Sequence, residues 1–170
     1  QYSELIGVFG RGNEKLNSFS SKFDIKAYRD IDNLIASEEI DAVYIATPHS
    51  THYEYTLLAI KNKKHILCEK PITINHLESM VLLNLAKEAE VFLMEAYMYR
   101  VHPQTFNILD NLSNFDSTKN KITITSSFGF SADLPESHRL RNQHLGGGAI
   151  LDVGCYPLSM AKLIAGKLNG

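Results

Sequence analysis

Lys70 is the residue whose type and setting most clearly invite chemistry. It follows the apolar run ending at Cys68 and precedes Pro71, whose ring fixes the local backbone. A lysine held at the end of a buried segment can hydrogen-bond a substrate hydroxyl, and partial burial of an amine eases proton exchange near neutrality. Glu69, its neighbour, is placed to hold it. Far along the chain, Asp152 and Tyr156 are four residues apart, a spacing that puts both on one face of a helix. A phenol with its ordinary pKa near 10 exchanges protons poorly unless a cation stabilises the phenolate, and Lys70 is the cation available. Asp152 would orient Lys70 or a substrate. Gly146-Gly147-Gly148 just before them permits either close backbone approach to a ligand or a free turn into the helix. Plainer readings stand beside these: a solvated lysine and glutamate after a strand, and a packed tyrosine with an aspartate at a helix start. Pro157 also removes a backbone donor where the shared helix face would lie.

These residues need a scaffold, and the first hundred residues supply one. Strand-like runs at Leu5 to Phe9, Ala42 to Ala46, Lys64 to Cys68 and Val91 to Met94 alternate with helical patterns at Asn13 to Phe23, Asp30 to Ala36, Thr51 to Asn62 and Asn75 to Ala89. Asn75 and Glu78 form a candidate capping box. Short continuous apolar strands joined by helices imply crossover units and a parallel sheet with helices on both faces. Ligands of such sheets bind at the carboxyl ends of the strands. Here those ends are Gly10-Arg11-Gly12, Thr47-Pro48-His49, Glu69-Lys70-Pro71 and Glu95-Ala96-Tyr97.

After about residue 100 the pattern changes. A helix is expected over His102 to Leu112, a polar turn over Asn114 to Asn120, a one-face-wet strand over Lys121 to Phe130, a polar loop over Ser131 to Leu145 and an apolar helix over Ala149 to Ala165. The expected fold class is α/β: a partial Rossmann-like parallel-sheet domain over 1–100, then the beginning of an α+β domain with a mostly antiparallel sheet over 101–170.

Three separated motifs resemble the Gfo/Idh/MocA oxidoreductases: Asp41 to Pro48 with His52, then Cys68-Glu69-Lys70-Pro71, then Gly146 to Gly154. The run Met94 to Arg100 with His102-Pro103 resembles one branch, that of dimeric dihydrodiol dehydrogenases, NADP-dependent xylose dehydrogenases and glucose–fructose oxidoreductase. The resemblance covers nearly the whole chain. It implies hydride transfer between a nicotinamide and a sugar, polyol or small diol, with Lys70 and Tyr156 moving the proton and Asp152 supporting them. It also implies that Ala46, Thr47, Pro48, His49, His52, Glu69 and Lys70 line the cofactor, with Arg100 and His102 facing cofactor or substrate. A family strand and glycine-rich phosphate loop are expected upstream of Gln1, and a homodimer is expected of the full-length protein.

Arg11 falls where a dinucleotide fold reads the ribose. An acidic residue there would accept from the hydroxyls of NAD(H), whereas Arg11 suits the 2′-phosphate, so NADP(H) is favoured over NAD(H). Rivals on the same fold are a dinucleotide-binding sugar sensor without turnover, an NAD-dependent glycosidase and an inert remnant.

Composition narrows the classes. Of 170 residues, 44% are hydrophobic and 21% charged, with a net charge of −2. There is no basic run for nucleic acid and no uninterrupted apolar run near the roughly 20 residues of a membrane span. His49 and His52 lack the further ligands of a metal site. Two distant cysteines, Cys68 and Cys155, suit free thiols in a reducing cytoplasm.

Overall fold

The computed structural model describes residues 3–112 and 122–168. The first hundred residues form β1 (Gly7–Phe9), α1 (Asn13–Phe23), β2 (Lys26–Tyr28), α2 (Ile31–Ile35), β3 (Ala42–Ile45), α3 (His52–Lys61), β4 (His65–Cys68), α4 (His76–Glu88) and β5 (Leu93–Glu95). All ladders among the described residues are parallel. They fall into two pieces, β1-β2 and β3-β4-β5. The break lies between β1 and β3, where the doubly wound strand order places a further strand.

Helix starts follow from side-chain caps. Asp30 accepts from the Asp32 amide at the start of α2, and Asn75 accepts from the Glu78 amide at 3.0 Å at the start of α4. These bonds satisfy amides that the first helical turn leaves unpaired.

The strands of β3-β4-β5 were expected to be buried on both faces. Instead they alternate. Ile45, Ile66 and Cys68 are buried against Ala59 and Ile60 of α3 and Leu82 and Ala86 of α4, while Tyr44 is 59% and Leu67 39% exposed on the other face. The reason is handedness. Both crossovers, β3 to β4 and β4 to β5, run the same way along the sheet, so right-handed connections put α3 and α4 on one face.

Beyond β5 a short 3-10 turn (Met98–Val101) leads into α5 (Pro103–Leu112). The polar turn expected over 114–120 lies outside the described residues. Residues 122–130, expected as a strand, form none: they have no ladder partner among the described residues, and Phe128 is 54% exposed. An unpaired extended segment gains no ladder hydrogen bonds to offset the cost of ordering it. The expected apolar helix begins as a π turn (Ile150–Gly154) and continues as α6 (Cys155–Leu168). Pro157 therefore does not end the helix: it is the third residue of α6, which runs on to Leu168.

The stretch Gln143–Lys167, 25 residues of mean hydropathy 1.2, is long and apolar enough on average to cross a membrane. It holds no unbroken apolar run of that length. Its continuous α-helical part, α6, has 14 residues, about 21 Å of rise against a hydrocarbon core of about 30 Å. Charged Asp152 and Lys162 interrupt the stretch, and α6 packs on α5.

Candidate functional site

The carboxyl ends of β3 and β4 open into a cleft of about 270 Å³ lined by Ala46, Thr47, Pro48, His49, His52, Glu69, Lys70 and Arg139. The β3 end is shaped by local bonds. Thr51 Oγ1 donates toward Thr47 Oγ1 at 2.8 Å and lies 2.8 Å from the Pro48 carbonyl. At the β4 end, Glu95 of β5 accepts from the Ile72 amide at 2.9 Å and so ties down the Lys70-Pro71-Ile72 turn. Burial is the first cause raising the Glu95 carboxyl above its ordinary value, against the lowering effects of that amide, of Arg100 and of His52.

Lys70 reaches across the molecule. Its ammonium donates to the main-chain carbonyl of Asp152 and to Asp152 Oδ1 at 3.1 Å, a contact between residues 82 apart in sequence. The two side chains are only 14% and 13% exposed. The same ammonium stands over the Tyr156 ring, 5.1 Å from its centroid, a cation–π distance. Glu69 does not pair with that ammonium. It accepts from its neighbour's backbone amide at 3.2 Å and from the Tyr44 hydroxyl at 2.6 Å. That bond is the main cause pushing the Tyr44 phenol up to about 12. The expectation that Glu69 holds the Lys70 side chain is therefore corrected: Asp152 does so.

A second correction concerns Tyr156. Lys70 was expected to make its phenol more acidic. The phenol is instead raised above its ordinary value, first by burial and then by Glu69, Cys155 and Asp152. The ammonium stands over the ring, where its charge meets the π face, and the causes acting on the phenol are burial and its anionic neighbours. Tyr156 holds its proton. Around it stand Tyr97 at 5.4 Å, Tyr99 at 6.3 Å and Phe128 at 5.2 Å between ring centroids.

The glycine triplet is constrained rather than loose. Gly146 has φ +73°, and a Cβ there would meet Ile74 Cγ2 at 2.8 Å and His49 Cβ at 2.9 Å. A Cβ on Gly147 would meet the carbonyl oxygens of Arg139 and Asn142 at 2.7 and 2.8 Å. This approach lets His49 Nδ1–H donate to the Gly146 carbonyl at 2.9 Å. Burial, ahead of all other causes, lowers the His49 pKa below 6.5.

His52, expected against a cofactor, is fully buried. Its Nδ1 lies 2.7 Å from the Pro71 carbonyl and its Nε2 2.8 Å from the Thr47 carbonyl. Both nitrogens stand within hydrogen-bond distance of main-chain carbonyls, and the N–H of a neutral imidazole serves one of them. It braces the β3 and β4 ends against each other, and the expectation of direct contact is corrected accordingly. Arg100 donates to Ser159 Oγ at 3.0 Å and lies 5.8 Å over Tyr97, while His102 accepts from the Gln104 amide at 3.1 Å near the start of α5. Arg11 is exposed just past β1 and outside the cleft. Cys68 is buried, its thiol pushed up to about 12 chiefly by desolvation, which leaves it inert as a nucleophile.

Sequence reasoning missed Arg139 and named Glu95 only as a strand end, with no role. Arg139 lies in a polar loop without periodicity, and nothing local marks it. Glu95 ends a strand, and its position at that edge was the signal available.

The residues fit one part of a dinucleotide. The cleft sits at strand ends, as bound nucleotides do in this kind of sheet. Its volume falls below the roughly 300–1,000 Å³ of whole ligand sites. It offers the hydroxyl and backbone groups of Thr47 and the charge of Lys70.

Residues 1–97 match the oxidoreductase family with an NAD-binding Rossmann fold. The chain is 36% identical over 156 residues to the D-xylose 1-dehydrogenase (NADP(+)) of Hypocrea jecorina, covering 88% of this chain and 40% of that protein. It is 32% identical over 162 residues to the trans-1,2-dihydrobenzene-1,2-diol dehydrogenase of Xenopus tropicalis, covering 95% and 48%. A crystal structure of a 3-ketoreductase from Actinomadura kijaniata with NADP and TDP-benzene superposes with a TM-score of 0.79 at 26% identity, covering 95% of this chain and 49% of that one. The chain thus spans about half the length of the curated relatives it matches.

Proposed function

This chain belongs to the Gfo/Idh/MocA family of oxidoreductases, and on that premise we propose that the whole protein is an NADP(H)-dependent dehydrogenase or reductase of a sugar or small diol. The observation that carries the reading is the convergence of Lys70, Asp152 and Tyr156 beside the cleft.

A bound nicotinamide supplies or takes up the hydride. The protein's own residues manage the proton and the geometry. Tyr156, kept neutral by burial and nearby carboxylates, has the protonation state of a donor toward a carbonyl oxygen being reduced. Lys70 adds positive charge where negative charge would build on that oxygen. An ammonium has three N–H groups; two go to Asp152, which leaves one for substrate. In the oxidative direction Tyr156 would have to give up its own proton first, since only the phenolate can receive one from a hydroxyl. Thr47, Pro48, His49 and Glu69 wall the cofactor side, and His52 sets the spacing of that wall. Arg11, exposed beyond β1, is suited to pair with a 2′-phosphate. The named cofactors of the xylose dehydrogenase and of the 3-ketoreductase structure support NADP(H). Two free cysteines among the described residues suit a reducing cytoplasm, and a homodimer is the assembly expected of the full-length protein.

Fluorescence titration of the intact protein with NADPH and NADH tests the cofactor reading. NADPH is expected to bind at least tenfold more tightly, and Arg11→Ala to remove most of that difference, since one charge-assisted pair to a phosphate carries about 1.5–3 kcal/mol. Equal affinity for both, unchanged by Arg11→Ala, would overturn the preference. Tight binding with no turnover of any sugar or diol would instead identify a sensor.

A further inference from the structure

Tyr156 sits between two anchors. Ahead of it, in the turn that opens α6, Asp152 is held by the Lys70 ammonium. Beyond it, Ser159 lies three residues on, a spacing that puts both on one helix face. Ser159 Oγ accepts twice: from the Tyr99 hydroxyl at 2.7 Å and from Arg100 Nη2 at 3.0 Å. Both donors belong to the 3-10 turn Met98–Val101 that follows β5. That turn is braced in its own right. The Tyr99 carbonyl accepts from the His102 amide at 3.1 Å and from Thr105 Oγ1 at 2.6 Å, and Thr105 is buried. The Arg100 guanidinium lies over the Tyr97 ring. A path of bonds therefore runs from the end of β5 into α6 at the residue that shares a face with Tyr156.

These bonds matter because packing alone holds α6 loosely. α3 buries Ala59 and Ile60 and α4 buries Leu82 and Ala86, whereas none of residues 155–167 is buried. Packing attraction is a sum over many touching atoms, so a partly covered helix loses little of it by turning about its axis. Hydrogen bonds are directional and weaken steeply off their line, so an oxygen held by two donors of one braced turn has one place. We propose that Ser159 is a positioning residue for Tyr156: by accepting from Tyr99 and Arg100 at once, it fixes the rotation of α6 so that the phenol ring stays under the Lys70 ammonium. The inference rests on the proton-transfer role proposed for Tyr156. With Asp152 held by Lys70 and Ser159 held by the turn, the helix start is pinned on both sides of the phenol. The rings of Tyr97 and Tyr99, at 5.4 and 6.3 Å, then stand as its walls.

The test is made in the intact protein, with NADPH and the best substrate found. Ser159→Ala is expected to lower kcat about tenfold, since a misplacement of about 1 Å can cost up to about a hundredfold. KM for NADPH is expected to be unchanged, because Ser159 does not line the cleft. Ser159→Thr returns the oxygen and is expected to restore most of the kcat. Tyr99→Phe keeps the ring and removes the donor. It is expected to lower kcat in the unaltered background and to cost nothing further in Ser159→Ala, as two groups acting through one contact do. Crystal structures should show the Tyr156 ring displaced from Lys70 in Ser159→Ala and back in place in Ser159→Thr. Additive losses from Tyr99→Phe and Ser159→Ala would overturn the proposal. So would a Ser159→Ala protein whose unfolding midpoint falls while its kcat is unchanged, or one whose Tyr156 ring has not moved. Should the unaltered protein turn over no substrate at all, the functional reading fails, while the crystal structures still decide whether Ser159 holds Tyr156.

Discussion

At the scale of single residues, the site is held by backbone carbonyls as much as by side chains. His52 joins the Thr47 and Pro71 carbonyls across the β3 and β4 ends, and Lys70 uses the Asp152 carbonyl. Sequence patterns announce residue types, not which carbonyl stands free, so both contacts were invisible beforehand. Removing the His52 ring deprives a buried carbonyl of its donor and opens a cavity. His52→Ala is therefore expected to cost about 3 kcal/mol in urea unfolding, within the range for buried unsatisfied groups and lost core volume. A change under 0.5 kcal/mol would contradict the brace. The proton inventory was legible only in part. Lys70, Asp152 and Tyr156 were read from motif and spacing, but the phenol's rise came from burial and from Glu69, Cys155 and Asp152, and a reading from Lys70 alone assigns the wrong sign.

At the scale of elements, the strand ends were legible and the faces were not. Apolar runs marked β3, β4 and β5, and a proline bounded two of them. β2 went unread because three residues, Lys26–Tyr28, carry no period. Which sheet face receives α3 and α4 depends on the order of strands in space, which no single run records. The glycine triplet read equally as turn or ligand approach. The structure decides for a close approach of protein to protein, with Gly146 against His49 and Ile74. Gly146→Ala is accordingly expected to lower the Tm by several degrees, since both the positive φ and the 2.8 Å contact must be relieved. The His49–Gly146 link also has a pH signature. The folded pKa of His49 is lowered, so its contribution is fully present above about 6.5 and is lost as pH falls through the folded value. Urea unfolding between pH 7.5 and 5 should show an acid-side loss that His49→Gln reduces; identical pH slopes in the two proteins would contradict the assignment.

At the scale of the whole molecule, the candidate site is composite. The β3 and β4 ends supply one wall, and the segment from Arg139 to Tyr156 supplies the other, meeting through Lys70–Asp152 and His49–Gly146. The alternation of strands and helices made the first wall readable. The second wall was readable only through resemblance, because one helix and an unpaired segment have no periodicity that implies a partner. The most direct test of the account is Lys70→Met in the intact protein, with NADPH affinity and turnover measured on the same preparation. The account predicts NADPH binding weakened far less than turnover, with kcat lowered by about a hundredfold or more, as expected when a group acting on the transferred proton is removed. Full turnover in Lys70→Met, with the protein folded and binding NADPH, would contradict it.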